Sequence, residues 1–206
     1  YAFMAQGLTE LYEATFNSRW LNAAVDISHQ MIELFQDDQS GGFFFTSKDH
    51  EKLIVRKKMS QDGAIPSGNS VAVLSLLRLS RISGEVDFKR AAEKTIETFS
   101  HILDSAPAAL HMMLVGLDFY LDTPMEIVLS GNLESGDTKE MLNVIHSVYL
   151  PNKVIAFNPN DDSKILSLPI LKDKNPVDNK ATVFLCENYA CNLPMIDPEE
   201  VRKSLE

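Results

Sequence analysis

The chain has 206 residues, 45% hydrophobic and 23% charged, with a formal net charge of −10 at pH 7. That is enough chain to bury a sizeable core, as one domain or one and a half. The acidic balance excludes non-specific binding to nucleic acid or anionic membranes, which needs clustered Lys and Arg, and the run Arg56-Lys57-Lys58 is too short to change this. No apolar run reaches membrane-spanning length, and no secretory leader is visible. Two cysteines do not make a disulfide scaffold and point to a reducing, cytoplasmic setting. The chain starts without Met, directly in an amphipathic helix, which is the expectation for a piece of a longer protein.

In chain order, Leu8, Leu11, Tyr12 and Thr15 recur at helical spacing, as do Leu21, Ala24, Val25, Ser28, Ile32 and Phe35. Asn17-Ser18 separates the two helices and can cap the second, giving a helical hairpin. Gly41-Gly42 then feeds the run Phe43-Phe44-Phe45, and with Leu53–Arg56 this predicts a small β-hairpin at about 41–57. A second helical hairpin starts at Ser67, turns at Gly84 and returns through Phe88, Ala92, Ile96 and Phe99. A third starts after Pro107; its first helix is apolar on two faces and is expected to be buried on both.

Composition shifts after Pro124. Glu126–Gly131, a helix capped by Asp137, and Val154–Phe157 predict a strand–helix–strand unit. Ala181–Cys186 reads as a further strand, Ile165–Leu171 as an edge strand limited by Pro169, and Pro198 as the start of a terminal helix. The expected organisation is a helical part over 1–123 and a small α/β part over 124–206.

Four motifs in order carry a family likeness: Leu11-Tyr12-Glu13-Ala14-Thr15, Gly41-Gly42-Phe43-Phe44, Asp62-Gly63-Ala64 with Pro66-Ser67-Gly68-Asn69-Ser70, and Ala181-Thr182 through Cys191. Together they resemble the C-terminal region of the spermatogenesis-associated, thioredoxin-domain family of YyaL type. The resemblance covers almost the whole chain. It implies part of an (α/α)6 toroid of the six-hairpin kind found in sugar epimerases and glycosidases. It also implies a missing N-terminal half with a thioredoxin-like domain. The fold class expected is therefore mainly α with a smaller α/β part: αα-hairpins of a partial toroid, a short β-hairpin and a C-terminal βαβ-type appendage. Apolar helix faces left open by the absent hairpins are expected to be covered by self-association or rearranged packing.

The leading site is the segment Asp62–Ser70, a polar turn set against the start of an apolar helix. A helix start offers unpaired N–H groups to an anion or a substrate hydroxyl. In the carbohydrate-handling reading, Asp62 is the catalytic acid or base, and Ser67, Asn69, Ser70, Tyr12 and Arg56 bind a small sugar. The plainer reading of the same residues is structural: Asp62 makes a turn, Ser67 or Asn69 caps the helix, and Asn69 bonds the neighbouring loop. Glu10 and Glu13 fall on the flanks of the first helix, as a solvated face. Asp37 and Asp38 precede the Gly-Gly turn but lack the further oxygen ligands of a calcium loop. Phe43–Phe45 is either a sugar-stacking platform or a buried face.

His29, His50, His101, His111 and His146 contain no H-x-x-x-H pair, and each reads as a structural or surface histidine. Cys186 and Cys191 stand five apart, not in the C-x-x-C spacing of a redox helix. A buried free thiol is the default for each; a reversible, redox-active disulfide made by a turn through Glu187-Asn188-Tyr189 is the alternative. Gly131 and Gly136 do not make a phosphate loop, and there is no G-x-S-x-G elbow. No cofactor is indicated. The alternative to a carbohydrate enzyme is a non-catalytic scaffold or interaction domain supporting the thioredoxin-like domain.

Overall fold

A computed structural model describes residues 1–51, 54–159, 168–187 and 190–206. The chain divides into two compact units, Tyr1–Asp122 and Thr123–Glu206. It is mainly helical, with one small mixed sheet.

Among the described residues the first unit holds the α-helices α1 (Ala2–Thr15), α2 (Ser18–Phe35), α3 (Gly68–Ser83), α4 (Val86–Ser105) and α5 (His111–Leu121), with a 3-10 turn at Pro107–Ala109. Between α1 and α2 the chain turns on Phe16, whose left-handed conformation ends α1, and on Asn17, whose side chain accepts a hydrogen bond from the Arg19 N–H. Helix α3 is the hub. Val71, Ala72, Val73, Leu76, Leu79 and Ile82 are all buried along it, and it packs against α1, α4 and α5. Its contact with α5 requires Gly116, where a Cβ would come within 2.7 Å of Val73 Cγ1. Helix α4 lays Phe88, Ala92, Ile96 and Phe99 inward at helical spacing.

Arg78 of α3 ties down α1. Its guanidinium donates to Glu13 at 2.8 Å and also to Glu10. Burial works against the charged guanidinium, but Glu13 and Glu10 outweigh it and hold its pKa above the ordinary value. Glu13 is therefore part of a buried ion pair and not of a solvated flank, which helical periodicity alone does not distinguish.

The expected third hairpin is the single helix α5, followed directly by the second unit. Only Met113, Gly116 and Phe119 of α5 are buried, while Val115 and Leu121 are 48% and 72% exposed, so one stripe is covered and not two. The expected β-hairpin is an irregular loop among the described residues. It has one isolated bridge, Gln36 to Phe43, and a single Phe45 N–H bond to the Lys57 carbonyl. Two successive glycines with positive φ, Gly41 and Gly42, bend the chain too sharply for a ladder. Leu53 lies outside the described residues.

The second unit is a four-stranded sheet in the order β2-β1-β3-β4, from β1 (Met125–Gly131), β2 (Lys153–Pro159), β3 (Thr182–Glu187) and β4 (Ala190–Cys191). Helix α6 (Gly136–Ser147) connects the parallel pair β1 and β2; β3 runs antiparallel to β1, and β4 antiparallel to β3. Ile127-Val128-Leu129 and Val154-Ile155-Ala156 are continuous buried runs, as strands covered on both faces require. Helix α7 (Pro198–Leu205) packs on α6 and is capped by Asp197. Pro169–Leu171 is a 3-10 turn and not an edge strand; residues 160–167 lie outside the described set. Asp137 does not cap α6, whose cap position is Ser135. Its carboxylate instead accepts the Thr138 and Ala181 N–H groups, joining the helix start to the chain entering β3.

Gly41 supplies a direct check on the packing of the first unit. At its φ of +73° any side chain is strained, and a Cβ would lie 2.6 Å from both the Lys94 carbonyl oxygen and Thr98 Oγ1. Gly41→Ala is expected to destabilise this unit by about 1–3 kcal/mol, seen as a lower urea midpoint in circular dichroism. An unchanged midpoint would contradict the close approach.

Candidate functional site

The segment singled out by sequence is a junction of three chain segments at the start of α3. Ser67 is the N-cap: its Oγ accepts the Ser70 N–H at 3.0 Å, and the Ser67 and Ser70 hydroxyls lie 2.9 Å apart. Asp62 is 7% exposed, and both of its carboxylate oxygens are engaged. Oδ1 accepts the Ser67 N–H at 2.7 Å and Oδ2 the Met112 N–H at 2.8 Å, while the Asp62 N–H donates to the Ala109 carbonyl. Met112 is in the first turn of α5, so Asp62 satisfies a helix-start donor from a distant loop.

Asn69 is 3% exposed and crosses to the other side of the junction. Its Oδ1 accepts the Phe43 N–H at 2.7 Å, and its Nδ2 donates to the Phe43 carbonyl at 2.9 Å and to the Met59 carbonyl at 2.7 Å. The side-chain amide thus pairs both backbone groups of Phe43, as a neighbouring strand would, and both amide hydrogens are committed. Ser70 is fully buried. Asp62, Ser67, Asn69 and Ser70 are therefore brought together, with the geometry of a structural joint.

Tyr12 and Arg56 do not join them. Tyr12 is buried in α1, 1% exposed, with its ring edge-on to Phe16. Arg56 donates to the Thr46 and Leu34 carbonyls and stacks 4.1 Å above the Phe44 ring, which holds the irregular loop against the end of α2.

Beside the joint is a cleft of about 130 Å³ whose walls include Tyr1, Phe35, Phe43, Phe44, Phe45 and Asn69. Of the residues named from sequence as catalytic or substrate-binding, Asn69 alone is in its lining, together with the Phe43–Phe45 run read as either a stacking platform or a buried face. Tyr1 and Phe35, with ring centroids 4.9 Å apart, were not foreseen as part of the wall. Helical spacing placed Phe35 in a core stripe and gave Tyr1 no role, and only the fold brings the two to the same wall as the Phe run.

Asp37 is likewise occupied. Its carboxylate meets Lys58 Nζ at 2.6 Å, the Ser40 hydroxyl at 2.7 Å and the Gln39 and Ser40 N–H groups. Lys58 and the Ser40 hydroxyl, foremost among these, hold its pKa well below the ordinary carboxylate value of 3.8. It closes the Gly-Gly loop, with Lys58 also donating to the Gly41 carbonyl. Among the described residues no group of three or more His, Cys, Asp or Glu is placed to hold a metal ion. His101 and His111 are both exposed.

In the second unit a cavity of about 570 Å³ opens where β1 and β2 end and α6 begins, lined by Asn132, Glu134, Ser135, Asp137 and Asn179 among others. Asp137 sits low in its titration, held there first by Ser135 and then by the Ala181 N–H. Cys186 and Cys191 form a disulfide between the facing strands β3 and β4, so the default of two free thiols is corrected. The spacing of five is what a tight antiparallel return needs to put the two residues opposite each other.

No family model matches the chain. Across its whole length it is 39% identical to spermatogenesis-associated protein 20 of human, and the rat and mouse proteins of that name match at the same level. The Caenorhabditis elegans protein B0495.5 is 27% identical across 98% of the chain. The chain spans about a quarter of the length of these relatives, 26% of the human protein and 27% of the nematode one. Identity at this level along the entire chain supports the likeness drawn from the four motifs. Among the described residues no helix is long and apolar enough to cross a membrane.

The Asp37–Lys58 pair sets a pH signature. A carboxylate with a lowered folded pKa contributes stability that is complete above its unfolded value, 3.8, and is lost as pH falls towards the folded value. Relative to Asp37→Asn, the wild-type chain should therefore be more stable at neutral pH, with the gap narrowing below about pH 4. Urea midpoints of both proteins across that range check it; a gap that stays constant down to pH 2 would contradict the assignment.

Proposed function

We propose that the chain is a non-catalytic scaffold and interaction part of a longer protein, and that its helices α1–α5 are a portion of an α/α-toroid. One observation carries this reading: the residues best suited to chemistry are committed inside the fold. Asp62 accepts two backbone N–H groups from separate segments, and Asn69 has no amide hydrogen left to donate. A general acid or base must reach the proton it transfers, and a carboxylate fixed between two backbone donors is built for holding and not for exchange. Exposed Phe3, Met4 and Leu11 on α1, and Val115 and Leu121 on α5, are the faces that an adjoining part of a longer protein or a second copy would cover. The relatives' greater length supports the same reading.

A second reading, carbohydrate binding with epimerase-like or glycosidase-like activity in the whole protein, is favoured by the aromatic cleft. Sugar rings present C–H faces that stack on aromatic side chains, and Phe44 and Phe45 lie in the wall of a cleft next to a helix start. Phe45 is 75% exposed, so it can be removed without touching the core.

A thermal-shift screen against neutral sugars, amino sugars and sugar phosphates separates the two, because a ligand that binds only the native state raises its melting temperature. The scaffold reading predicts no shift with any sugar in wild type or Phe45→Ala. A shift in wild type that Phe45→Ala loses while remaining folded would overturn it in favour of the carbohydrate reading.

A further inference from the structure

The two sulfurs of the second unit stand in unequal surroundings. Cys186, on β3, is 2% exposed and lies in the sheet between β1 and β4. Cys191, on the two-residue strand β4 at the sheet edge, is exposed, and so are Ala190, Asn192, Leu193 and Pro194 around it. The hairpin is also held independently of the sulfurs: the Asn192 N–H donates to the Leu185 carbonyl at 2.9 Å, and Met195 exchanges both backbone bonds with Val183. The bond closes a loop between residues only five apart, and so short a loop removes little freedom from the unfolded chain compared with a long one. A covalent link with a small structural task and one open sulfur is suited to exchange.

We propose that Cys186–Cys191 is a thiol–disulfide exchange site whose reactant is a protein dithiol. A thiolate of the partner attacks Cys191 Sγ, the accessible sulfur; a partner–Cys191 disulfide forms, and Cys186 leaves as the thiolate and takes up a proton. The partner's second thiol, as thiolate, then attacks the partner's own bridging sulfur and releases Cys191, which is protonated in turn. The chain gains two electrons and two protons, and the partner is left with a disulfide. The reverse sequence reoxidises the chain. Leu193, 85% exposed and two residues from Cys191, supplies an apolar contact for a docking protein at this edge. Burial of Cys186, 2% exposed and opposite Cys191 in register, assigns it the resolving role.

The test uses the whole chain with dithiothreitol as the dithiol probe and glutathione disulfide as the oxidant. The expected result is reduction of the native chain without denaturant, two alkylatable thiols by mass spectrometry, an unchanged circular-dichroism spectrum, and return to the intramolecular disulfide with glutathione disulfide. With single variants whose spectra match wild type, Cys186→Ser should form a glutathione adduct at Cys191 at least about tenfold faster than Cys191→Ser forms one at Cys186. Three results would overturn the proposal: reduction only in denaturant, loss of the folded spectrum on reduction, or equal adduct rates at the two cysteines.

Discussion

The first unit depends on one side-chain amide. Asn69 sits just inside the start of α3 and satisfies the N–H and carbonyl of Phe43 together with the carbonyl of Met59. Those backbone groups belong to a loop with no ladder of its own, and an unpaired polar group costs about 1–3 kcal/mol when buried. The amide therefore decides whether Phe43 can be buried beside the helices. Asp62 does the complementary task on the other flank, taking one donor from the α3 start and one from the α5 start. The starts of α3 and α5 and the chain at Phe43 and Met59 are thereby referred to a single junction.

This gives the motif Pro66-Ser67-Gly68-Asn69-Ser70 a physical meaning that does not require catalysis. Gly41 is needed because the loop approaches α4 more closely than a side chain allows, a Cβ falling 2.6 Å from the Lys94 carbonyl oxygen, and Gly42 because its φ of +71° strains any side chain. The Gly-Gly-Phe-Phe and Ser-Gly-Asn-Ser motifs, 26 residues apart, are two halves of one joint. The cleft beside it is walled chiefly by aromatic rings, which suits contact with a ring or an apolar face better than proton transfer.

Much of the architecture was legible in the sequence because it rests on periodicity and caps. The stripes of α2 to α4, the caps Asn17 and Ser67, the buried runs of β1 and β2 and the Pro198 start of α7 are local signals that the fold keeps. Helix α1 keeps only Tyr12 of its expected stripe and buries Ala2, Ala5, Thr9 and Glu13 instead, leaving Leu11 44% exposed. What was not legible depends on partners distant in sequence. Glu13 reads as a flank residue until Arg78, 65 residues on, arrives to pair with it. The Phe43–Phe45 run reads as a strand, but the backbone groups of Phe43 are taken by Asn69, and Phe44 and Phe45 donate separately to the Phe35 and Lys57 carbonyls. Helix α5 reads as apolar on two faces, but packing on α3 buries only the stripe of Met113, Gly116 and Phe119. Asp62 reads equally as acid or clamp; the choice turns on Met112, 50 residues away. The cysteines read as free thiols by default because a spacing of five puts Cys186 opposite Cys191 only once β3 and β4 pair antiparallel in this register.

The most direct test of the central claim is amide hydrogen exchange by NMR at Phe43, Ser67 and Met112 in the wild-type chain, Asn69→Ala and Asp62→Ala. A structural joint predicts protection at all three amides in wild type. Phe43 alone should lose it in Asn69→Ala, and Ser67 and Met112 should lose it in Asp62→Ala, with core amides of α3 still protected. Rapid exchange at these amides in the wild-type chain, or protection that survives the substitutions, would contradict it and return Asp62 and Asn69 to the role of groups available to a substrate.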